Sequence, residues 1–131
     1  MAEPLISKVD CVSFPVPDLE EALEFYRDAL GHQLIWRTDS AAGLRLPESE
    51  AELVLRTESR APETDLKVES VPEAVSRFRD AGGSVVSGPF EIPIGQCAVV
   101  VDPYGNQLVL LDSSKGTYRT DSDGNVVGLE K

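Results

Sequence analysis

The sequence predicts an α+β fold built from two βαβββ modules. Three observations carry that prediction: an internal repeat, two capped amphipathic helices and eight short runs with strand-like alternation. Shifted by 52 residues, positions 16–31 fall on 68–83 without a gap. Val16, Glu21, Ala22, Arg27, Asp28, Ala29 and Gly31 then meet Val68, Glu73, Ala74, Arg79, Asp80, Ala81 and Gly83, seven identities in sixteen positions. Repetition of this kind records a duplicated supersecondary unit that cannot bury its apolar face alone.

The first helix is expected over about 19–30. Asp18 caps its start, Glu21 completes a capping box, and Leu19, Ala22, Leu23, Tyr26, Ala29 and Leu30 recur at helical spacing. Gly31 supplies the left-handed residue that ends it. The second helix is expected over about 71–81, with Ser70 and Glu73 as its capping box. Val71, Ala74, Val75, Phe78 and Ala81 form its buried stripe, and Gly82-Gly83 closes it.

A short strand precedes each helix, at 11–16 and 64–69. Three more follow each: 33–38, 42–47 and 51–57 in the first module, then 83–89, 96–102 and 106–112 in the second. Asp-Pro-Tyr-Gly at 102–105 is a turn. The whole chain, 1–131, reads as a single domain, with module one over about 8–57, module two over about 62–112 and a tail over 113–131. The tail reads as a hairpin around Asp123-Gly124. A calcium loop at 121–125 is rejected because the glycine comes too early and the distal glutamate is missing.

Period-two alternation assigns faces. Val12, Phe14, Val16, Leu66 and Val68, with Leu53 and Leu55, belong under the helices. Cys11, Ser13 and Pro15, Glu63, Asp65 and Lys67, and Glu52, Val54 and Arg56 point the other way. A face so polar is solvated or lines a cleft.

Composition narrows the function classes. The net charge of −11, from 23 acidic and 12 basic residues, opposes binding to phosphate backbones, so no nucleic-acid partner is expected. It would attract a cationic small molecule or protein, or simply confer solubility. No apolar run reaches the ~20 residues that span a bilayer, and no signal pattern opens the chain, so no membrane partner is expected. Two cysteines in unlike contexts imply no disulfide framework, and a cytoplasmic location follows as the default.

The paired modules, the run "VPDLEEALEFYRDALG" and the run "VVVDPYGNQLVLLD" together resemble the glyoxalase/bleomycin resistance protein/dioxygenase superfamily, the vicinal oxygen chelate proteins, over about residues 8–112. The resemblance implies a curved eight-stranded sheet around a cleft, helices on the outer face, and a homodimer. Metal-dependent members carry four ligands facing the cleft. Carried over, those positions fall on Cys11, Glu52, Glu63 and Val109. Only Glu52 matches the expected type, and Val109 offers no lone pair. A thiol with two carboxylates suits none of the ions this superfamily uses. His32, the one histidine, is expected at an exposed helix C-terminus. No metal and no cofactor are therefore expected.

Alternation and resemblance together give a cleft-facing set: Cys11, Ser13, Trp36, Arg45, Glu52, Val54, Glu63, Asp65, Val109 and Leu111. Cys11 reads as a small, weakly polar wall residue; Glu52 and Glu63 nearby would disfavour a reactive thiolate. Trp36 is either core or an aromatic wall against a planar ligand. Arg45 and Arg56 read as solvated edges rather than ligand-binding groups. Glu52, Glu63 and Asp65 either hold an amine or guanidinium or lie spread along wet strand ends. The favoured function is metal-free binding of a small molecule, of which a cationic drug is one candidate. The alternative is a metal-dependent lyase, isomerase or dioxygenase of the same superfamily.

Overall fold

A computed structural model describes residues 3–131. The class is α+β as expected, with eight main strands of mixed direction. In chain order the elements are β1 (Ile6–Pro15), α1 (Leu19–Leu23) running on as a π-helix (Glu24–Ala29), β2 (Leu34–Arg37), β3 (Ala41–Arg45), β4 (Glu52–Arg56), β5 (Glu63–Val68), α2 (Val71–Asp80), β6 (Ser84–Ile92), β7 (Gly95–Val101), β8 (Gln107–Leu111), β9 (Thr117–Thr120) and β10 (Val126–Glu130). Each expected strand is present, and β1 begins five residues earlier than alternation suggested. No described helix is long and apolar enough to cross a membrane.

The residues fall into two compact units. One holds Asp10–Glu63 with Tyr118–Gly128; the other holds residues 3–9, Thr64–Thr117 and Leu129–Lys131. The tail is thus not a free appendage: most of its hairpin clusters with the first module.

In the first unit the strand order is β2-β3-β4-β1, with β1 and β4 parallel and the other pairs antiparallel. Asp18 caps α1 as expected, its Oδ1 accepting from Glu21 N at 3.0 Å. Leu19 and Leu23 drop into a core of Ala42, Leu44, Leu53 and Leu55, with Val12 and Phe14 against it. Leu23 and Leu55 are fully covered, and each such burial contributes about 2 kcal/mol.

The expected continuous first helix is corrected beyond Leu23, where the winding widens. Leu30 N donates to Phe25 O at 2.9 Å, a five-residue step. A wider turn advances each side chain by a smaller angle, so the 3.6-residue stripe goes out of phase. Ala29 and Leu30, both expected in the core, are exposed, Leu30 by 53%. Gly31 closes the turn at φ +84°, as its place required.

In the second unit the order is β5-β8-β7-β6. Val71, Ala74 and Val75 of α2 pack on Val68, Ala98, Val100 and Leu110. Ala81, expected in the stripe, is an exposed C-terminal cap. The start of α2 is pinned from β8's end by Asp112, 1% exposed. Its carboxylate accepts from Val71 N at 2.8 Å, Gln96 N at 2.9 Å, and the Ser114 hydroxyl and N–H at 2.8 and 3.2 Å. Burial alone would raise its pKa; the donors of Val71, Gln96 and Ser114 more than reverse that, holding it below the usual carboxylate range.

That arrangement fixes a pH dependence. A depressed folded pKa stabilises above the unfolded value near 3.8 and the effect fades as pH falls through the folded value. Asp112→Ala is expected to cost about 3 kcal/mol at neutral pH, read by urea unfolding, with the gap from wild type narrowing below about pH 4.

Candidate functional site

The strand registers of the first unit lay its polar face out in rows, because directly paired residues share a side. One row is Arg45, Glu52 and Cys11; the next is Trp36, Gly43, Val54 and Ser13; the third is Ala41, Arg56 and Pro15. Six of the ten expected site residues, Cys11, Ser13, Trp36, Arg45, Glu52 and Val54, therefore lie on one patch opposite the helix. Arg45 is exposed, Cys11 is 5% exposed, and Trp36, Glu52 and Val54 are half-buried.

The chemistry concentrates on Trp36. Its indole N–H donates to Glu52 Oε1 at 2.6 Å. To get there the ring passes over Gly43, where a Cβ would collide with the indole and sit 2.7 Å from Glu52 Oε1. Glycine is thus required by the close approach. On its other side Trp36 meets Tyr118 of β9, ring centroids 4.9 Å apart and planes at 52°. Burial, and then the negative charge of Glu52, push the Tyr118 phenol up, so it is neutral at physiological pH. Trp36 is half-buried, with one hydrogen bond, to Glu52, and one ring contact, with Tyr118.

Arg56 corrects an expectation. Read as a solvated edge, it is 4% exposed. Its Nε donates to Ser13 Oγ at 3.0 Å, Nη1 to the carbonyls of Glu58 and Arg60 at 2.9 and 3.1 Å, and Nη2 to that of Ala61 at 2.7 Å. A guanidinium satisfied on this many sides can be buried, and it organises the whole 57–62 connection. Ser13, expected as a cleft residue, is committed to this network.

Glu63 sits in the same unit at the start of β5. Its Oε1 takes Arg60 Nε at 2.8 Å and lies 4.0 Å from Arg56 Nη2. Arg60 is pulled to a higher pKa by its bond to Glu63, and also by Glu58. The remaining expected residues belong to the second unit, where Asp65 pairs Val109 and Lys67 pairs Leu111 on the face opposite α2. His32 is half-buried rather than exposed, its Nδ1 3.1 Å from the Arg45 carbonyl.

Could these side chains hold a divalent ion? Val109 has no donor atom, one Glu63 oxygen faces two guanidinium groups, and one Glu52 oxygen is bonded to the indole. No trio of His, Cys, Asp or Glu with metal-holding geometry occurs among the described residues. The donor set does not fit. The registers also revise the correspondence between modules. Ser13 pairs Val54 and its repeat mate Asp65 pairs Val109, so Val54 is the counterpart of Val109 and Glu52 that of Gln107.

Gly43, Arg56 and Tyr118 were not among the expected site residues. Gly43 and Arg56 could have been flagged only by pairing register. Tyr118 lies in a four-residue strand too short for periodicity to speak.

The chain belongs to the Glyoxalase/Bleomycin resistance protein/Dioxygenase superfamily, whose sequence model matches residues 8–110. Among solved structures it resembles methylmalonyl-CoA epimerase from Mycobacterium tuberculosis, at 22% identity and TM-score 0.68, covering 87% of this chain and 93% of that one. It also resembles a protein described as the NAD-dependent benzaldehyde dehydrogenase from Legionella pneumophila, at 23% identity and TM-score 0.65, covering 79% and 98%. Streptomyces coelicolor methylmalonyl-CoA epimerase aligns at 17% identity and TM-score 0.66, covering 83% and 99%. At these identities the likeness shows the fold alone. No curated protein sequence matches this one.

Two variants probe the geometry. Gly43→Ala should displace the indole from Glu52 and shift the emission of the single tryptophan, with far-UV dichroism unchanged. Arg56→Ala should cost about 3 kcal/mol in chemical unfolding, because its partners become buried and unsatisfied, and Arg56→Lys should recover less than half of it.

Proposed function

We propose that the protein is a small-molecule-binding member of its superfamily that works without a metal ion, and that its ligand docks a cationic group on the Trp36–Glu52 patch. One observation carries the reading: a carboxylate held 2.6 Å from an indole N–H, beside a half-buried aromatic pair. Carboxylate charge and aromatic quadrupole both attract a cation, and neither attracts an anion. The net charge of −11 adds a long-range field of the same sign. A donor set that fits no divalent ion supports the metal-free part. The reading includes a homodimer, by analogy with the superfamily, and a cytoplasmic location, supported by two cysteines, Cys11 and Cys97, that are not joined in a disulfide.

Titration with choline and N-methylpyridinium, followed through Trp36 fluorescence, should give saturable changes. Glu52→Gln should weaken them at least about tenfold, the scale of losing a charged partner. Equal affinity in Glu52→Gln would overturn the cation reading. One equivalent of a transition metal retained through purification of untagged wild type would overturn the metal-free reading.

A further inference from the structure

We propose that the exposed end of the first helix, Phe25 with Ala29 and Leu30, docks a short helical segment of another protein, one that carries large apolar side chains on one face and lysines or arginines beside them. This surface lies on the helix side of the first unit's sheet, away from the Trp36–Glu52 patch, and is independent of the reading proposed above.

The winding of the chain builds it. After Leu23 the π-helical step takes Leu30 N to Phe25 O at 2.9 Å, so these two residues are one turn apart and neighbours on the helix surface. Ala29, exposed and four residues from Phe25, flanks them. A continued α-helix would keep Leu30 in phase with Leu19, Leu23 and Tyr26, over the core. Instead it is 53% exposed, next to Phe25 at 56%. The Phe25 ring is also held in place. It meets Tyr26 edge to face, centroids 5.0 Å apart and planes at 89°, and Tyr26 packs against the core.

Charge selects the partner. Glu21, one turn before Phe25, and Glu24, beside it, are exposed, and among the described residues their carboxylates make no ion pair or hydrogen bond. Their neighbours are committed. Glu20 Oε1 takes Arg37 Nη2 at 2.5 Å, and the Asp28 carboxylate takes Arg27 Nε at 2.9 Å and Nη2 at 3.4 Å. The one basic residue of this helix is thus answered within it, and the rim favours a basic partner. A second copy of the chain fits poorly. Face to face it would set Glu21 and Glu24 against their own images, in a chain of net charge −11. Two large side chains little more than half exposed also offer roughly 200 Å² of apolar surface, well short of the ~800 Å² that each partner of a stable complex buries. That area suits a peptide-sized partner, bound weakly and reversibly.

The test uses the full chain and three fluorescein-labelled 14-residue peptides, read by anisotropy: Leu and Lys at amphipathic helical spacing, the same composition scrambled, and the helical pattern with Glu for every Lys. Wild type should bind the Leu/Lys helix at least about tenfold more tightly than the scrambled peptide, and the Leu/Glu helix not at all. Phe25→Ser with Leu30→Ser should bring the Leu/Lys helix down to the scrambled level; Phe25→Ala serves where the double variant lowers the urea midpoint. Glu21→Gln with Glu24→Gln should lose about three- to fivefold and flatten the salt dependence. Equal binding of the Leu/Lys helix by wild type and by the Phe25 variants would overturn the site, as would equal binding of the helical and scrambled peptides by wild type. A wild-type dimer in sedimentation that becomes a monomer in Phe25→Ser with Leu30→Ser would overturn the assignment of the partner in favour of a second copy.

Discussion

The first unit depends on the parallel pairing of β1 with β4, from Cys11 opposite Glu52 to Pro15 opposite Arg56. Because side chains alternate, this register decides at a stroke that Val12, Phe14, Leu53 and Leu55 meet the helix while Cys11, Ser13, Glu52, Val54 and Arg56 do not. A slip by one residue would put Arg56 and Glu52 into the leucine core and the leucines into water. The register is therefore enforced by several buried apolar side chains at ~2 kcal/mol each, far more than any polar contact on the opposite face contributes. The polar face can be spent on chemistry because the apolar face has already fixed the strands.

How legible this was differs by level. Strand positions and the division into faces follow from alternation alone, and the 52-residue repeat made the second module a check on the first. The capped starts of both helices were equally plain, since a Ser or Asp three residues before Glu has one local job. What periodicity could not reveal was anything set by winding or by cross-strand diagonals. The widened turn after Leu23 has no composition signature, and it moved Ala29 and Leu30 outward. Trp36 was visible as a candidate, but its partner depended on Gly43 lying between them, which is a fact about pairing and not about spacing. Arg56 looked like the ordinary end of a wet strand because the carbonyls that satisfy it lie in a connection with no pattern of its own.

A protein this acidic uses its few cations with economy. Arg56 sits buried against three carbonyl oxygens of the 57–62 connection and the Ser13 hydroxyl, and Arg60 spans Glu58 and Glu63. In the second unit the opposite solution appears: the buried charge is negative, on Asp112, and backbone N–H groups of Val71 at the start of α2 and of Gln96 in β7 answer it. Both devices place one ion where several chain segments meet. A single side chain there replaces several separate hydrogen bonds, at the cost that removing it leaves all its partners unsatisfied.

The same accounting bears on the patch itself. In a superfamily whose metal-dependent members resemble one another in gathering carboxylates around an ion, the charge of each carboxylate is answered by the metal. Here one Glu52 oxygen accepts from an indole N–H, a neutral donor. Glu63, at the other candidate position, is answered by guanidinium and is electrostatically spent. The two carboxylates therefore do different work: Glu63 is a counter-ion to guanidinium groups, and Glu52 orients an aromatic ring. An asymmetry of that kind, built into a twofold-repeated scaffold, means that the repeat sets where the strands run while the neighbouring side chains set what answers each carboxylate.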